Sequence, residues 1–405
     1  MIGALGSALM FQAGYNAAIA ALGSALFGAA AGAVGTFLFL RKRSLVSDAL
    51  AHATLPGIAL AFLVMAFLGG SGRWLPGLLA GAALAAITGL FAVSWLTHHT
   101  RLSEDAAIGA VLSAFFGLGV VVLSLIQTLS VGEPAGLDGF LLGSTAGMVR
   151  SDVVTIAAGA VVSLIVLFLA RRPLALIAFD AGYGEARGYR VRGYDILLMG
   201  LVTAITVTGL KIVGLVLVVA LLIIPPAMAR FWTDRLGVML AVSAAGGALS
   251  GYGGAAFSAA APDLPTGPVI VLLAFVLFFV SMLAAPRRGI LARALKARRF
   301  ELAVHRRQGL LALSHDEPIY DRLTLKVLRR AGFVRGDGVV TAEGLVAAQA
   351  ARDDEIRRIT GERLFPQAAS GSVLDPLDVR YTPDEIAAIE RAVSERTLGQ
   401  PEGAA

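Results

Sequence analysis

The chain has 405 residues, of which 57% are hydrophobic and 15% charged, against roughly 25% charged in an ordinary soluble domain. With a mean hydropathy of +0.77, this excludes a simple globular protein and points to a chain that crosses a membrane repeatedly. There is no cysteine, so disulfides, cysteine-ligated zinc and thiol catalysis are excluded. The net charge of +6 is uneven: residues 1–286 carry 14 Lys/Arg and 11 Asp/Glu, and residues 287–405 carry 20 and 17.

A spanning helix needs about 20 mostly apolar residues. Stretches of that kind lie at 15–40, 48–69, 75–96, 106–129, 153–170, 195–210, 212–231, 236–257 and 266–285. Residues 195–231 are long for one helix and short for two, with Lys211 at the expected turn. The expectation is nine spans, with eight as the alternative. The first residues lack a basic n-region, so insertion by the first span is expected rather than a signal peptide. Placing the C-terminus in the cytoplasm puts eleven Lys/Arg of the membrane part in cytoplasmic loops and leaves Arg73, Arg150 and Lys211 outside, the sense of the positive-inside rule.

The second span opens on Asp48 and His52, an acid and an imidazole four residues apart and so on one helix face, followed by Pro56-Gly57 as an expected helix break. Ionisable groups within a span are costly and mark candidate functional sites. Carboxylate plus imidazole suits Mn²⁺, Zn²⁺ or Fe²⁺ better than Ca²⁺ or Mg²⁺. On the residues alone, a buried Asp–His hydrogen bond that stabilises the bundle explains the pair equally well. His98-His99 reads mainly as a solvated pair, with receipt of an exiting metal as the alternative. Small residues crowd the first span (Gly28, Gly32, Gly35) and the eighth (Gly246, Gly247, Gly254). They favour close helix packing within one subunit over a homodimer seam. Residues 133–147 are semi-polar and read as an external re-entrant or surface helix. Residues 179–193 form a short cytoplasmic loop in which Asp180 is an N-cap candidate for a small helix.

Beyond residue 286 the chain becomes an ordinary polar sequence. Residues 287–307 are basic with interleaved apolar residues, which suits a helix lying on anionic lipid, a better fit than nucleic acid. Residues 308–365 show helix, helix, then a Gly/Val hairpin with Asp337-Gly338 at its turn, the pattern of a winged helix. Residues 366–405 are loop followed by a last helix from Thr382, where Thr-Pro-Asp-Glu supplies a cap and an N1 proline. The expected fold class is thus an all-α polytopic membrane protein with a small cytoplasmic α/β winged-helix-like C-terminal region. No phosphate-binding Gly-x-x-x-x-Gly-Lys-Ser/Thr, Gly-x-Ser-x-Gly or His-Glu-x-x-His occurs, so the chain is not expected to be an enzyme.

Six collinear stretches resemble the permease subunits of the ABC-type manganese, zinc and iron importers: 37–62, 104–124, 137–148, 179–195, 211–240 and 263–289. Asp-Ala-Leu-x-His-x-x-Leu-Pro-Gly at 48–57 is the most specific. The resemblance implies a multi-pass protein of a bacterial-type inner membrane that holds no permanent cofactor and transports Mn, Zn or Fe, manganese or zinc being favoured over iron. It implies a separate ATPase subunit, an extracytoplasmic metal-binding protein and a second permease subunit, a copy or a paralogue. Asp48 and His52 match the acid and histidine lining the family's metal path. Residues 180–192 match its ATPase-coupling helix, with Asp180, Gly184, Glu185, Ala186, Arg187 and Gly188 in the corresponding pattern. About 300–360 resemble a winged helix of the diphtheria-toxin-repressor type. The tail's lack of cysteine and its two histidines, His305 and His315, argue against a metal sensor and for a module that docks the ATPase or the opposite subunit. The rival readings are a secondary metal transporter without an ATPase, a membrane-tethered winged-helix regulator, and a permease for bulky vitamin or siderophore ligands.

Overall fold

The computed structural model describes residues 14–70, 74–129, 150–260, 264–368 and 374–398, together with residues 10, 72 and 372. The expected external helix at 133–147 lies outside the described residues. The chain divides into two compact units, Met1–Ala292 and Arg293–Ala405.

The first unit is all-helical: α1 (Tyr15–Leu40), α2 (Ser44–Phe67), α3 (Leu75–His99), α4 (Glu104–Thr128), α5 (Arg150–Phe179), short α6 (Ala181–Ala186), α7 (Val191–Val213), α8 (Leu215–Trp232), α9 (Leu236–Ala260) and α10 (Thr266–Ala284). Eight of these are long and apolar enough to cross a membrane. The ninth apolar helix, α8, has 18 residues, roughly 27 Å at 1.5 Å per residue. It is joined to α7 through Gly214 alone, whose φ of +85° lies where a side chain would be strained. The turn expected at Lys211 therefore falls three residues later.

The helix break expected at Pro56-Gly57 is not seen. Pro56 lies inside the continuous helix Ser44–Phe67, and Pro225 and Pro226 lie inside Leu215–Trp232. A proline removes one helical hydrogen bond and crowds the carbonyl four residues back. Within a bundle, neighbouring helices relieve that carbonyl. Here Gly35 of α1 packs on the Leu222 carbonyl that Pro226 frees, and an added Cβ there would lie 1.9 Å from its oxygen. Gly57, next to Pro56, meets Gly81 of α3 backbone to backbone, with 2.2 Å left for a Cβ.

The largest helix–helix interface pairs α1 with α9. Gly28 faces Gly247, Gly32 faces Ser243, and Gly251 faces Ser24, each leaving 2.0–2.4 Å where a Cβ would have to go. Ser243 donates a 2.7 Å hydrogen bond to the Gly32 carbonyl across this seam. The two glycine-rich stretches are thus consumed against each other within one chain. Around them, Phe27, Phe37, Leu38, Ile156, Leu198 and Ile205 are fully buried.

The second unit differs from expectation. One helix, α11 (Ile290–Ser314), runs through the boundary placed at 307/308, followed by α12 (Arg322–Arg330), α13 (Ala342–Leu364), α14 (Leu377–Arg380) and α15 (Pro383–Leu398). Among the described residues no strand forms. The expected wing is a single antiparallel bridge, Val334 to Val340, closed by a turn in which Gly338 has φ +91°. Glycines at 332, 336 and 338 leave too few side chains to support longer strands. A small core of Leu310, Leu328 and Val334 holds the unit together. The last helix starts as expected: Glu385 accepts hydrogen bonds from the Thr382 backbone N–H and hydroxyl at 2.8 and 3.0 Å, a capping box.

Candidate functional site

Asp48 and His52 project from the first turns of α2. Their closest atoms, Asp48 Oδ1 and His52 Nε2, are 3.5 Å apart, and the side chains are 39% and 16% exposed. That separation is longer than an ordinary hydrogen bond. His52 Nδ1 is buried without a hydrogen-bond partner, and the ring stands edge-to-face on Phe116 of α4 at 5.1 Å. No Lys or Arg among the described residues pairs with Asp48. The two side chains are thus within ion-pair reach of each other but make no hydrogen bond. The pair is two unsaturated donors side by side, backed by an aromatic wall. No group of three or more His, Asp or Glu gathers among the described residues. Two ligands cannot fill the four-coordinate shell of a resident structural zinc. Pro56 and Gly57 lie one turn further on, both buried, where they set the packing of α2 on α3.

Just before the pair, the α1–α2 corner carries an ion cluster that sequence reasoning missed. Arg41 binds both oxygens of Asp195 at 2.7 and 2.8 Å and donates to the Ile177 carbonyl at 3.0 Å. Arg43 reaches Glu104 at 3.2 Å and Asp195 at 3.6 Å. Lys42, between them, occupies the left-handed region at φ 58°, a strained conformation for a side chain other than glycine. The cluster ties the corner to the starts of α4 and α7 and the end of α5. A lone acid at the threshold of an apolar span was the available signal, but its partners lie about 150 residues away.

The Ile177 end of α5 leads straight into α6. Asp180 caps this helix, accepting a hydrogen bond from the Tyr183 N–H at 2.9 Å. Gly184 is buried, and a Cβ added there would lie 3.3 Å from Ile177 and 3.7 Å from Val191 of the flanking helices. At the other end the Gly188 N–H binds the Glu185 carbonyl and the Tyr189 N–H binds the Gly184 carbonyl. With Gly188 at φ +85°, this is a Schellman stop. Glu185, Ala186, Arg187 and Gly188 are exposed, and Arg187 leans on Tyr183 through its ring and hydroxyl. The structure thus brings Asp180 and 184–188 together on one capped projection and keeps them apart from Asp48 and His52, with the Arg41 cluster between the two. His98 and His99 are exposed in the last turn of α3, each ring bonded to the carbonyl four residues back.

Eight helices long and apolar enough to cross a membrane, with an acid–imidazole pair and a short capped helix between two of them, are the arrangement of a polytopic membrane protein. The chain belongs to the ABC 3 transport family, whose model matches residues 15–285. It is 40% identical over 291 residues to the manganese transport system membrane protein MntC of Bacillus subtilis, covering 72% of this chain and 66% of that one, so it spans just under two thirds of that relative. The zinc transport system membrane protein TroC of Treponema pallidum is 36% identical, with 69% of this chain and 93% of that one covered. Among solved structures, PsaBC from Streptococcus pneumoniae in complex with Fab superposes with a TM-score of 0.63 at 29% identity, covering 74% of this chain and 100% of that one.

Proposed function

We propose that the protein is the membrane-spanning permease of an ATP-driven importer for a divalent transition metal, manganese or zinc in preference to iron. The carrying observation is the Asp48–His52 pair: 3.5 Å apart, not hydrogen-bonded, with one imidazole nitrogen unpartnered. It can meet a borderline cation with one carboxylate and one imidazole and release it again, because two ligands bind loosely. The relatives named for manganese and zinc transport support the same cargo.

In this reading the engine is a separate ATPase pressing on α6, whose exposed face is Glu185, Ala186, Arg187 and Gly188. An extracytoplasmic metal-binding protein delivers the ion, and a second permease subunit covers the half-exposed Asp48. Movement of α6 passes through Ile177 to Arg41 and Asp195, and so to the start of α2, opening or closing the path past Asp48 and His52. The C-terminus is cytoplasmic, and residues beyond 286 form a module that docks the ATPase or the opposite subunit. Cells expressing Asp48→Asn or His52→Ala should accumulate at least tenfold less Mn or Zn than wild type by elemental analysis, with the protein at normal abundance in the membrane. Undiminished accumulation of every metal in both variants would remove the pair from the path.

A further inference from the structure

A second feature of the bundle has no part in that path. Between α5 and α9 runs an open groove of about 490 Å³. Its walls are mostly apolar, with Leu164, Phe168, Leu240 and Ala244 among them, and Arg171 and Arg172 line it one turn short of Ala175. The Arg171 guanidinium lies over the Phe168 ring, 4.0 Å from its centre. Among the described residues neither arginine has an acidic partner. The nearby carboxylate of Asp234 is already held by Arg230 and Arg288 at 3.0 and 2.6 Å. From Leu164 to Arg171 is two helical turns, about 11 Å along the helix.

Cations on the flank of a spanning helix are costly unless an opposite charge or water meets them. Simple snorkelling into water needs no groove beside the stem. Here an apolar trough runs along the helix beside the guanidinium pair, the outline of an acyl chain with an anionic head. The bilayer supplies phosphates at this level in abundance, whereas a helix seated here would have to bring its own carboxylates. We propose that the α5–α9 groove binds one acidic phospholipid, its chain against Phe168 and Leu240 and its phosphate between Arg171 and Arg172. The inference rests on membrane placement and not on the transported metal.

The test is native mass spectrometry of the full-length protein, released from micelles containing phosphatidylglycerol or phosphatidylcholine with identical acyl chains. Wild type should retain one phosphatidylglycerol about thirtyfold more strongly than phosphatidylcholine, which corresponds to about 1 kcal/mol for each of two arginines near an anionic surface. Arg171→Gln/Arg172→Gln should erase that preference, Arg171→Lys/Arg172→Lys should keep most of it, and Ala244→Phe should expel both lipids. Equal retention of the two lipids by wild type overturns the proposal, as does unchanged preference in the Gln variant or displacement of the lipid by millimolar inorganic phosphate. If the Gln variant does not fold, the wild-type comparison and the Lys variant still decide. The chain lacks cysteine, so Ala241→Cys gives a unique thiol in the groove. Its cross-linking to a second copy in the native membrane would show that protein, not lipid, occupies the site.

Discussion

The two units hold themselves together by opposite means. In the bundle, α1 and α9 meet through glycines with backbone against backbone, and the ion clusters around Asp195 and Asp234 sit near helix ends. In the C-terminal unit the buried apolar residues are few, Leu310, Leu328, Val334, Ala348, Tyr381 and Ile389 among them, and charge does much of the joining. Arg307 of α11 binds Asp354 at 2.7 Å and also Glu355 of α13. Arg358 binds Asp354 at 2.8 Å and the Asp375 carbonyl at 2.7 Å. The difference follows from the solvent. Lipid gives apolar side chains no reason to leave it, so helices associate through close van der Waals contact and a few polar bonds. Water drives even a small apolar core together and screens the charges arranged around it.

Breaking the glycine seam should have the largest effect. In Gly247→Leu the first added carbon would lie 2.0 Å from the Gly28 carbonyl oxygen, and with no flexible side chain to yield, α1 and α9 must separate. A loss of about 3 kcal/mol or more is expected, read as aggregated protein on size-exclusion after extraction. The corner cluster comes next. Arg41→Ala leaves the Asp195 carboxylate with only the longer 3.6 Å contact to Arg43 and should cost about 3 kcal/mol, whereas Arg41→Gln/Asp195→Asn together should recover much of it in a thermal melt of the purified full chain. Full additivity of the two single changes would show that the pair does not interact.

In the C-terminal unit the sharper probe is pH. Burial alone would raise the Asp354 carboxyl, but hydrogen bonds from Arg358 and Arg307 hold it below its ordinary value of 3.8. A carboxyl lowered by folding contributes stability that is complete above its unfolded value and is lost as pH falls through the folded one. Hydrogen-exchange protection of residues 342–364 should therefore be flat above about pH 5 and fall below about pH 4. Asp354→Asn should have weaker protection at neutral pH and no further acid loss from this group. The smallest effect is expected for His98→Ala/His99→Ala, within about 0.5 kcal/mol and with unchanged metal accumulation, since both rings are exposed and bonded only within their own helix.

The helices of the bundle were legible because each span must satisfy its own backbone in about 20 apolar residues. Asp48 and His52 were legible because an acid and an imidazole in such a run are costly. Their partners were not. Gly28 with Gly247 and Arg41 with Asp195 are joined across the fold, and a single sequence carries no record of which far residue fills a hole. Pro56 misled for the same reason: whether it breaks a helix depends on the neighbour, and Gly81 supplies a backbone that fits. In the tail, the turn at Gly338 was readable from local chemistry. The length of the strands flanking it depended on packing that the sequence did not reveal.

The left-handed Lys42 at the α1–α2 corner has a consequence in time. A single reversed residue sets Arg41 and Arg43 on the same side, where one carboxylate can be shared between two guanidiniums. While the chain is being inserted, those three cations stand free, because Glu104 and Asp195 have not yet entered the membrane region. Under the orientation proposed above they act first as an anchor that keeps the corner in the cytoplasm. Only when α4 and α7 arrive do they become a clasp. The same charges steer the newborn chain and later fasten the finished one, so weakening Asp195 should spare topology while loosening the fold.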